Sequence, residues 1–351
     1  MSSSLLSNVV EGADCTLQVE PLHAAHLPRL QAGESSALLP RLQTLLLQGL
    51  IARAESLFPV LPWIRQPRAL VALEADQLRA LVELRPHNRQ GTCWRLALDD
   101  ISTPSQHSRA QVLSTLLKES LLGAHPRSRS WVIRCPSQDR DQIEVLRELG
   151  FQPLRRTRLW SRASTPSPMP TELGDGCLWS PLNRRSAPLL WPLEQASASS
   201  HQRQIVDRRC NDLLDQCGAG SGVLLGKGDN GPIALAGLLR IDRGPDGARC
   251  ELVRDLAWDE RLNRALPAVL DRLQREQPDL KLLCNEEDRP LNVLLERAGW
   301  NSIGEELLLG RSLWRRQIQP RQRPNSLPLE SVLGRLQPQR PPLPTPSLGR
   351  R

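Results

Sequence analysis

The second half of the chain carries the clearest alternation of apolar and polar positions. Residues 198–216 set Ile205, Leu213 and Leu214 on one face against dense charge on the other, which predicts a helix. Gly222–Leu225 and Ile233–Ile241 read as strands around Gly228-Asp229-Asn230-Gly231, a hairpin turn in which Asn-Gly supplies the positive φ values. A second turn, Arg243-Gly244-Pro245-Asp246-Gly247, leads into a strand over Arg249–Leu256, and an amphipathic helix follows over Glu260–Glu276. Then come a short apolar strand, Lys281–Cys284, a helix ending in Glu296-Arg297-Ala298-Gly299, and a last strand opening on Trp300. Glycine at that point suits the left-handed residue that closes a helix.

The first half repeats this order more loosely. Helix Leu38–Ala54 precedes strands Ala69–Glu74, Gln77–Leu84 and Thr92–Leu98, and helix Arg109–Leu122 follows. The strand Trp131–Cys135, the helix ending in Glu148-Leu149-Gly150 and the strand opening on Phe151 complete it. Cys135 and Cys284, the pairs Asp139-Arg140 and Asp288-Arg289, and Gly150 and Gly299 all share one offset. The starts match too, with Pro21-Leu22 after Cys15–Glu20 and Pro181-Leu182 after Cys177–Ser180. The chain is a tandem duplication.

Between the halves lies Ser161–Gly176, rich in Ser, Pro, Thr and Gly, which reads as a linker. The expected organisation is a flexible 1–14, domains over 15–160 and 177–316, the 161–176 linker, and a disordered Pro/Arg-rich tail over 317–351. Arg340-Pro341-Pro342-Leu343-Pro344 in that tail has the form of a polyproline ligand for a protein partner, against the plainer reading of a solvated tail.

Charge changes this picture only at the end of the 351 residues. The net charge is +8, yet Arg315–Arg351 holds eight arginines and one acid, Glu330. The folded body is therefore close to neutral, which speaks against nucleic-acid binding there and leaves RNA or another anion as a reading for the tail alone. No apolar run approaches the ~18 residues of a membrane span, and the N-terminus lacks the charged and apolar regions of a signal peptide. Eight scattered cysteines without a CxxC pair fit a reduced, cytoplasmic chain and give no support to a zinc site. Gly218-Ala219-Gly220-Ser221-Gly222 precedes a strand, not the helix a phosphate loop requires. Asp207, Asp212 and Asp215, interleaved with Arg203, Arg208 and Arg209, read as a salt-bridged exposed face or as an interface between the halves.

Each half thus orders strand, helices, a three-stranded antiparallel meander, helix, strand, helix, strand. This order, with the junctions Glu148-Leu149-Gly150-Phe151 and Arg297-Ala298-Gly299-Trp300 and the opening Thr16–Leu22, resembles the GNAT superfamily of acetyl-CoA-dependent N-acetyltransferases over about residues 15–160 and 177–314. The resemblance implies an α/β fold of two GNAT-like domains, each a mixed, mostly antiparallel sheet flanked by helices. It also implies transfer of an acetyl or other acyl group from acyl-CoA to an amine acceptor, a small molecule or a protein.

In that family the cofactor pyrophosphate rests on a glycine-containing helix N-terminus, where free N–H groups and the helix dipole favour an anion. The matching stretch here runs from Val253 in the preceding strand through Trp258 to Arg261, Leu262, Asn263 and Arg264, with Arg261 and Asn263 in place of the glycines. In the first half Gln111 and Leu113 stand there. The family's tyrosine acid has no counterpart, since the chain has no tyrosine. A general base from the middle strands falls on Glu251, with Glu83 as the first-half candidate. The altered loops equally imply a non-catalytic GNAT-like scaffold that binds a protein partner.

Overall fold

The computed structural model describes residues 17–28, 39–55, 67–74, 77–101, 106–162, 173–174, 176–244 and 247–313. The expected flexible N-terminus and basic tail lie outside these, as does most of the linker. The described residues belong to one compact unit.

Twelve strands form one sheet. They are β1 (Leu17–Pro21), β2 (Arg68–Glu74), β3 (Gln77–Pro86), β4 (Cys93–Asp100), β5 (Ser130–Pro136) and β6 (Gln152–Ser161) in the first half. The second half gives β7 (Cys177–Pro181), β8 (Gly222–Gly228), β9 (Gly231–Gly244), β10 (Gly247–Arg254), β11 (Lys281–Asn285) and β12 (Asn301–Ser312). The helices are α1 (Leu39–Glu55), α2 (Arg109–Leu122), α3 (Arg140–Glu148), α4 (Ala187–Ser197), α5 (Ser200–Val206), α6 (Leu262–Glu276) and α7 (Arg289–Arg297).

The strand order is β1-β2-β3-β4-β5-β12-β6-β11-β10-β9-β8-β7. The last strand of each half is thus exchanged. β12 lies antiparallel between β5 and β6, while β6 pairs with β11 of the second half. A mixed sheet flanked by helices is present in each half, as expected, but the two are continuous through the β6–β12 pair. Thr157 and Glu306, equivalent positions of the duplication, face each other in that pair. They mark the pseudo-twofold axis that relates the halves.

Apolar residues follow the exchange. Trp160 of β6 is buried with Leu282, Cys284 and Trp300 in the core beneath α6, whereas Leu309 of β12 is buried with Trp131, Ile133 and Phe151 beneath α2. On the opposite face α1 and α4 cover separate clusters around Leu42 and Leu190, and α5 packs Ile205 and Val206 against Cys93, Val132 and Leu308. Each half therefore buries a side chain belonging to the other. A fully buried aromatic removes some 150–250 Å² from water, so Trp160 alone supplies a substantial adhesive term.

The local signals recur as read. Asp139 and Asp288 cap α3 and α7 by accepting the N–H groups of Gln142 (3.1 Å) and Leu291 (3.2 Å). Gly150 (φ 82°) and Gly299 (φ 81°) close the same helices, and Phe151 N–H and Trp300 N–H donate back to Leu146 and Leu295 carbonyls at 2.9 and 3.0 Å. One expectation is corrected. The helix foreseen over 198–216 is α5 followed by a separate 3₁₀ turn over Cys210–Gln216, because Asp207 adopts a left-handed conformation (φ 46°). α4, which contains Pro192, precedes it.

The exchange makes a direct prediction. Cleaving the chain once within residues 163–172 leaves two fragments that co-elute in native size-exclusion chromatography and separate only in denaturant. Two independent domains would part on cleavage.

Candidate functional site

In a parallel pair the strands stay together only as long as their ladder does. β4 and β5 pair from Cys93/Ser130 to Leu96/Ile133, and β10 and β11 only from Arg249/Lys281 to Glu251/Leu283. Beyond these points the strands diverge, β10 running on to Arg254 with β9 as its ladder partner. The second-half splay opens into a cavity of about 460 Å³, lined by Leu252, Val253, Arg254, Leu256, Asn285 and Asp288 among others. A second cavity, also about 460 Å³, lies between the halves and is walled by β3, β4 and β5 on one side and by α4, α5, β9 and β10 on the other. Arg155, Ser197, Ala198 and Gln202 line both cavities, so they adjoin.

An arginine–aspartate bridge straps each splay. In the second half Arg254 Nε and Nη2 donate to Asp288 at 2.8 and 2.7 Å, with the guanidinium 5.1 Å from the centre of the Trp258 ring. In the first half Arg109 Nη1 and Nη2 donate to Asp139, both at 2.8 Å, and Arg109 Nε donates to Asp100 at the end of β4. The bidentate geometry fixes both angle and distance.

Glu251 lines the central cavity beside Arg155, which lines both, and is held by residues of the first half. Arg134 of β5 donates to it at 2.7 Å, and Arg155 of β6 contacts its other oxygen. Both oxygens of the candidate base are thus already engaged by guanidiniums. Glu83, on β3, is buried, accepts from Arg41 at 2.7 and 3.0 Å, contacts Arg85, and lines neither cavity. The two candidate carboxylates are thus not brought together.

The residues at the start of α6 are largely committed to one another. Arg261 forms a bidentate pair with Asp259 (2.9 and 2.7 Å) and donates to Lys227 O at 2.8 Å. The Asp259 carboxylate also accepts the Arg261 N–H at 2.9 Å, and the N–H groups of Leu262, Asn263 and Arg264 donate to the carbonyls of Asp259, Glu260 and Arg261. A carboxylate therefore sits at the helix start, where the GNAT resemblance sets a phosphate. The Arg261 hydrogen bonds hold Asp259 below the ordinary carboxylate range, with burial opposing. Leu262 is buried in the core under α6, Val253 in the one under α4, and Asn263 and Arg264 are exposed. Trp258 packs at the edge of the α6 core. The α2 start is closed by a capping box, Ser108 accepting from Gln111 N–H at 3.3 Å.

One feature was not singled out in the sequence. His87, just after β3, lines the central cavity; burial and the charges of Arg208, Arg95 and Arg134 push its pKa well below the ordinary histidine value, which keeps the imidazole neutral. No spacing in the sequence marks it, because its neighbours come from elements far along the chain. The aspartates of 207–215 meet the first half, as the second of the two readings has it, with Asp212 buried there while Asp207 and Asp215 stay exposed, as the first has it. Arg89 pairs with Asp215 (2.6 Å), Arg89 N–H donates to Asp212 (2.8 Å), and Thr92 donates to Asp207 (3.1 Å). The described cysteines are free thiols, and burial pushes Cys93 and Cys135 up to about 12, which removes nucleophilic character at neutral pH. Among the described residues no cluster of His, Cys, Asp or Glu fits a metal ion, and no helix is long and apolar enough to cross a membrane.

The element order, the parallel β4–β5 and β10–β11 pairs and their splays are the arrangement that the GNAT resemblance of the sequence implies. No protein-family model matches the chain, and no curated protein matches it. Among solved structures, the chain is similar to a GCN5-related N-acetyltransferase from Sphaerobacter thermophilus, with 13% identity and a TM-score of 0.48 over 84% of this chain and 95% of that one. It is also similar to a putative acetyltransferase from Pyrococcus horikoshii (10% identity, TM-score 0.49, covering 85% and 89%). A tandem GNAT protein from the clavulanic acid biosynthesis pathway matches at 11% identity and TM-score 0.46, covering 85% and 98%.

Two outcomes follow from this geometry. Glu251→Gln removes the carboxylate that Arg134 and Arg155 share in a mostly buried site and lowers unfolding free energy by about 3 kcal/mol, read by denaturant titration; adding Arg134→Met restores part of it. The Arg109 hydrogen bonds hold Asp139 below the ordinary carboxylate range, with burial opposing. Its stabilising contribution is therefore complete above about pH 4 and lost as pH falls through the lower folded value. Asp139→Asn, which keeps the cap, flattens the fall in melting temperature between about pH 4 and pH 2.

Proposed function

We propose that the chain is a cytoplasmic acyltransferase-like protein whose second half receives an acyl thioester in the β10–β11 splay and an amine acceptor from the central cavity. The observation that supports this reading is the cavity opened by the strand divergence after Glu251 and Leu283, adjoining the space of similar size between the halves. A thioester arm laid against the unpaired edge of β10 has its carbonyl within reach of backbone N–H groups beyond Glu251, which stabilise the oxyanion that develops on attack by the amine. Acyl-CoA is the donor that the GNAT resemblance implies. Glu251 then acts through charge, fixing Arg134 and Arg155 at the wall of the central cavity. Arg261 and Asp259 stay with each other.

A second reading, a non-catalytic scaffold that binds a partner, is favoured by the closed start of α6. There the Asp259 carboxylate and the local carbonyls already take the N–H groups that would grip a pyrophosphate. The basic tail is then the natural ligand for a protein partner or, through its arginines, for RNA.

Thermal unfolding with acetyl-CoA separates the two. At 100 times its dissociation constant a ligand adds about 2.7 kcal/mol, and each kcal/mol moves the midpoint of a chain this size by roughly 2–4 °C. The acyltransferase reading requires a rise of roughly 5 °C or more with millimolar acetyl-CoA. A further gain is expected in Asp259→Ser, where a competing anion has been removed. No rise in either protein leaves the scaffold.

A further inference from the structure

The first half holds a third cavity, separate in its chemistry from the splays and the central space. It lies at the sheet end opposite the β4–β5 divergence, where β1 and β3 finish and β2 begins. Its volume is about 690 Å³, within the size range of small-molecule sites. Among the described residues, Pro67 is the one wall position it shares with the central cavity.

Its wall is aliphatic. Val19 of β1, Leu22 just after it, Leu45 and Leu46 of α1, Leu70 of β2 and Leu84 of β3 line it. Leu22 and Leu45 belong to the core under α1, and Leu84 to the core under α2. The sheet separates these two cores and stops here, so the cavity is the gap between them beyond the strand ends. Interiors are ordinarily packed to the density of organic crystals, and water finds few polar partners against such a wall. Four polar side chains line the same space, those of His23, Arg68, Glu119 and Ser120. Ser120 is committed to the Leu116 carbonyl at 2.6 Å, and the His23 ring lies against His26, with centroids 5.9 Å apart. Arg68 and Glu119 are exposed at the mouth. Arg68 Nη1 donates to Gly123 O at 3.1 Å, which holds the guanidinium at the wall, and among the described residues it has no carboxylate partner. Most of its five N–H donors are therefore open to a ligand.

We propose that this cavity binds a medium-chain aliphatic carboxylate, with its chain against the leucines and its head group on the Arg68 guanidinium. A carboxylate only accepts hydrogen bonds, and its planar shape matches the guanidinium fork. The chain supplies what the wall lacks, since each CH₂ group taken out of water tightens binding roughly fourfold. Glu119, on the same wall, repels the head group and limits the affinity that Arg68 provides. The site stands whether or not the chain transfers an acyl group, because it belongs to the other half from the β10–β11 splay.

The test is isothermal titration of the full chain with hexanoate, octanoate and decanoate, each kept below its micellar concentration. Affinity is expected to rise roughly tenfold for every two carbons added. Arg68→Met is expected to weaken octanoate tenfold or more, and Glu119→Gln to tighten it severalfold. Ala24→Trp, at an exposed wall position, sets a ring over the mouth and is expected to abolish binding. All three changes fall on exposed residues, and circular dichroism checks that each variant is folded. No binding of decanoate up to about 5 mM overturns the proposal, as does binding that ignores chain length. Binding that all three variants leave unchanged overturns it too, because the ligand then sits elsewhere. Acetyl-CoA stabilisation is a separate readout, so failure of this site leaves the acyltransferase reading untouched, and the reverse holds.

Discussion

The pairing of β6 with β12 is the constraint on which the rest of the molecule depends. A strand buried on both edges satisfies its backbone groups through its neighbours, and here those neighbours belong to opposite halves of the sequence. Thr157 facing Glu306 fixes the register of that pair, and a one-residue slip would turn every side chain to the wrong face. Trp160 and Leu309 then have only one place to go. The central cavity, the Glu251–Arg134–Arg155 cluster and the interlock of the 88–92 turn with 205–215 all follow from where this pair sets the two halves.

The chain's heavy use of arginine acquires a structural meaning at this axis. Arg134, Arg155 and Arg249 approach the middle of the sheet and are met by Glu251 and Glu306. Such charges are costly to bury and become tolerable only when each is matched. Planar guanidiniums can serve two carboxylate oxygens or a carboxylate and a carbonyl at once, which a lysine cannot do as well. The matching residues come from β5, β6, β10 and β12, so the network records the assembled state of both halves.

Much of the fold is legible in the sequence because it is specified locally. The helix over Arg109–Leu122, the Gly228–Gly231 hairpin and the paired caps at Asp139/Gly150 and Asp288/Gly299 rest on signals within a few residues of each other. The exchange is not legible, because Phe151–Trp160 and Trp300–Leu309 have the same apolar pattern whichever half receives them. The break at Asp207 escaped because a left-handed aspartate within an otherwise amphipathic run leaves no periodic trace. Glu251 was identifiable as a carboxylate on a middle strand, but its partners Arg134 and Arg155 lie more than ninety positions away and decide its character. His87 was invisible for the same reason. The commitment of Arg261 to Asp259 was within reach, since they are two residues apart.

The exchanged strands also order events during synthesis. When Ser161 leaves the ribosome, the first half has β6 but not the strand that completes its own sheet, and the β5 edge stands open. That edge stays unpaired until Ser312 emerges, roughly 150 residues later, or about 10–30 s at ordinary translation rates. An open, apolar strand edge is a template for the wrong partner, including the last strand of a neighbouring nascent chain. Polysomes carrying many copies of this message therefore hold the ingredients for intermolecular exchange, and a covalent tandem keeps the correct β12 at high effective concentration the moment it arrives.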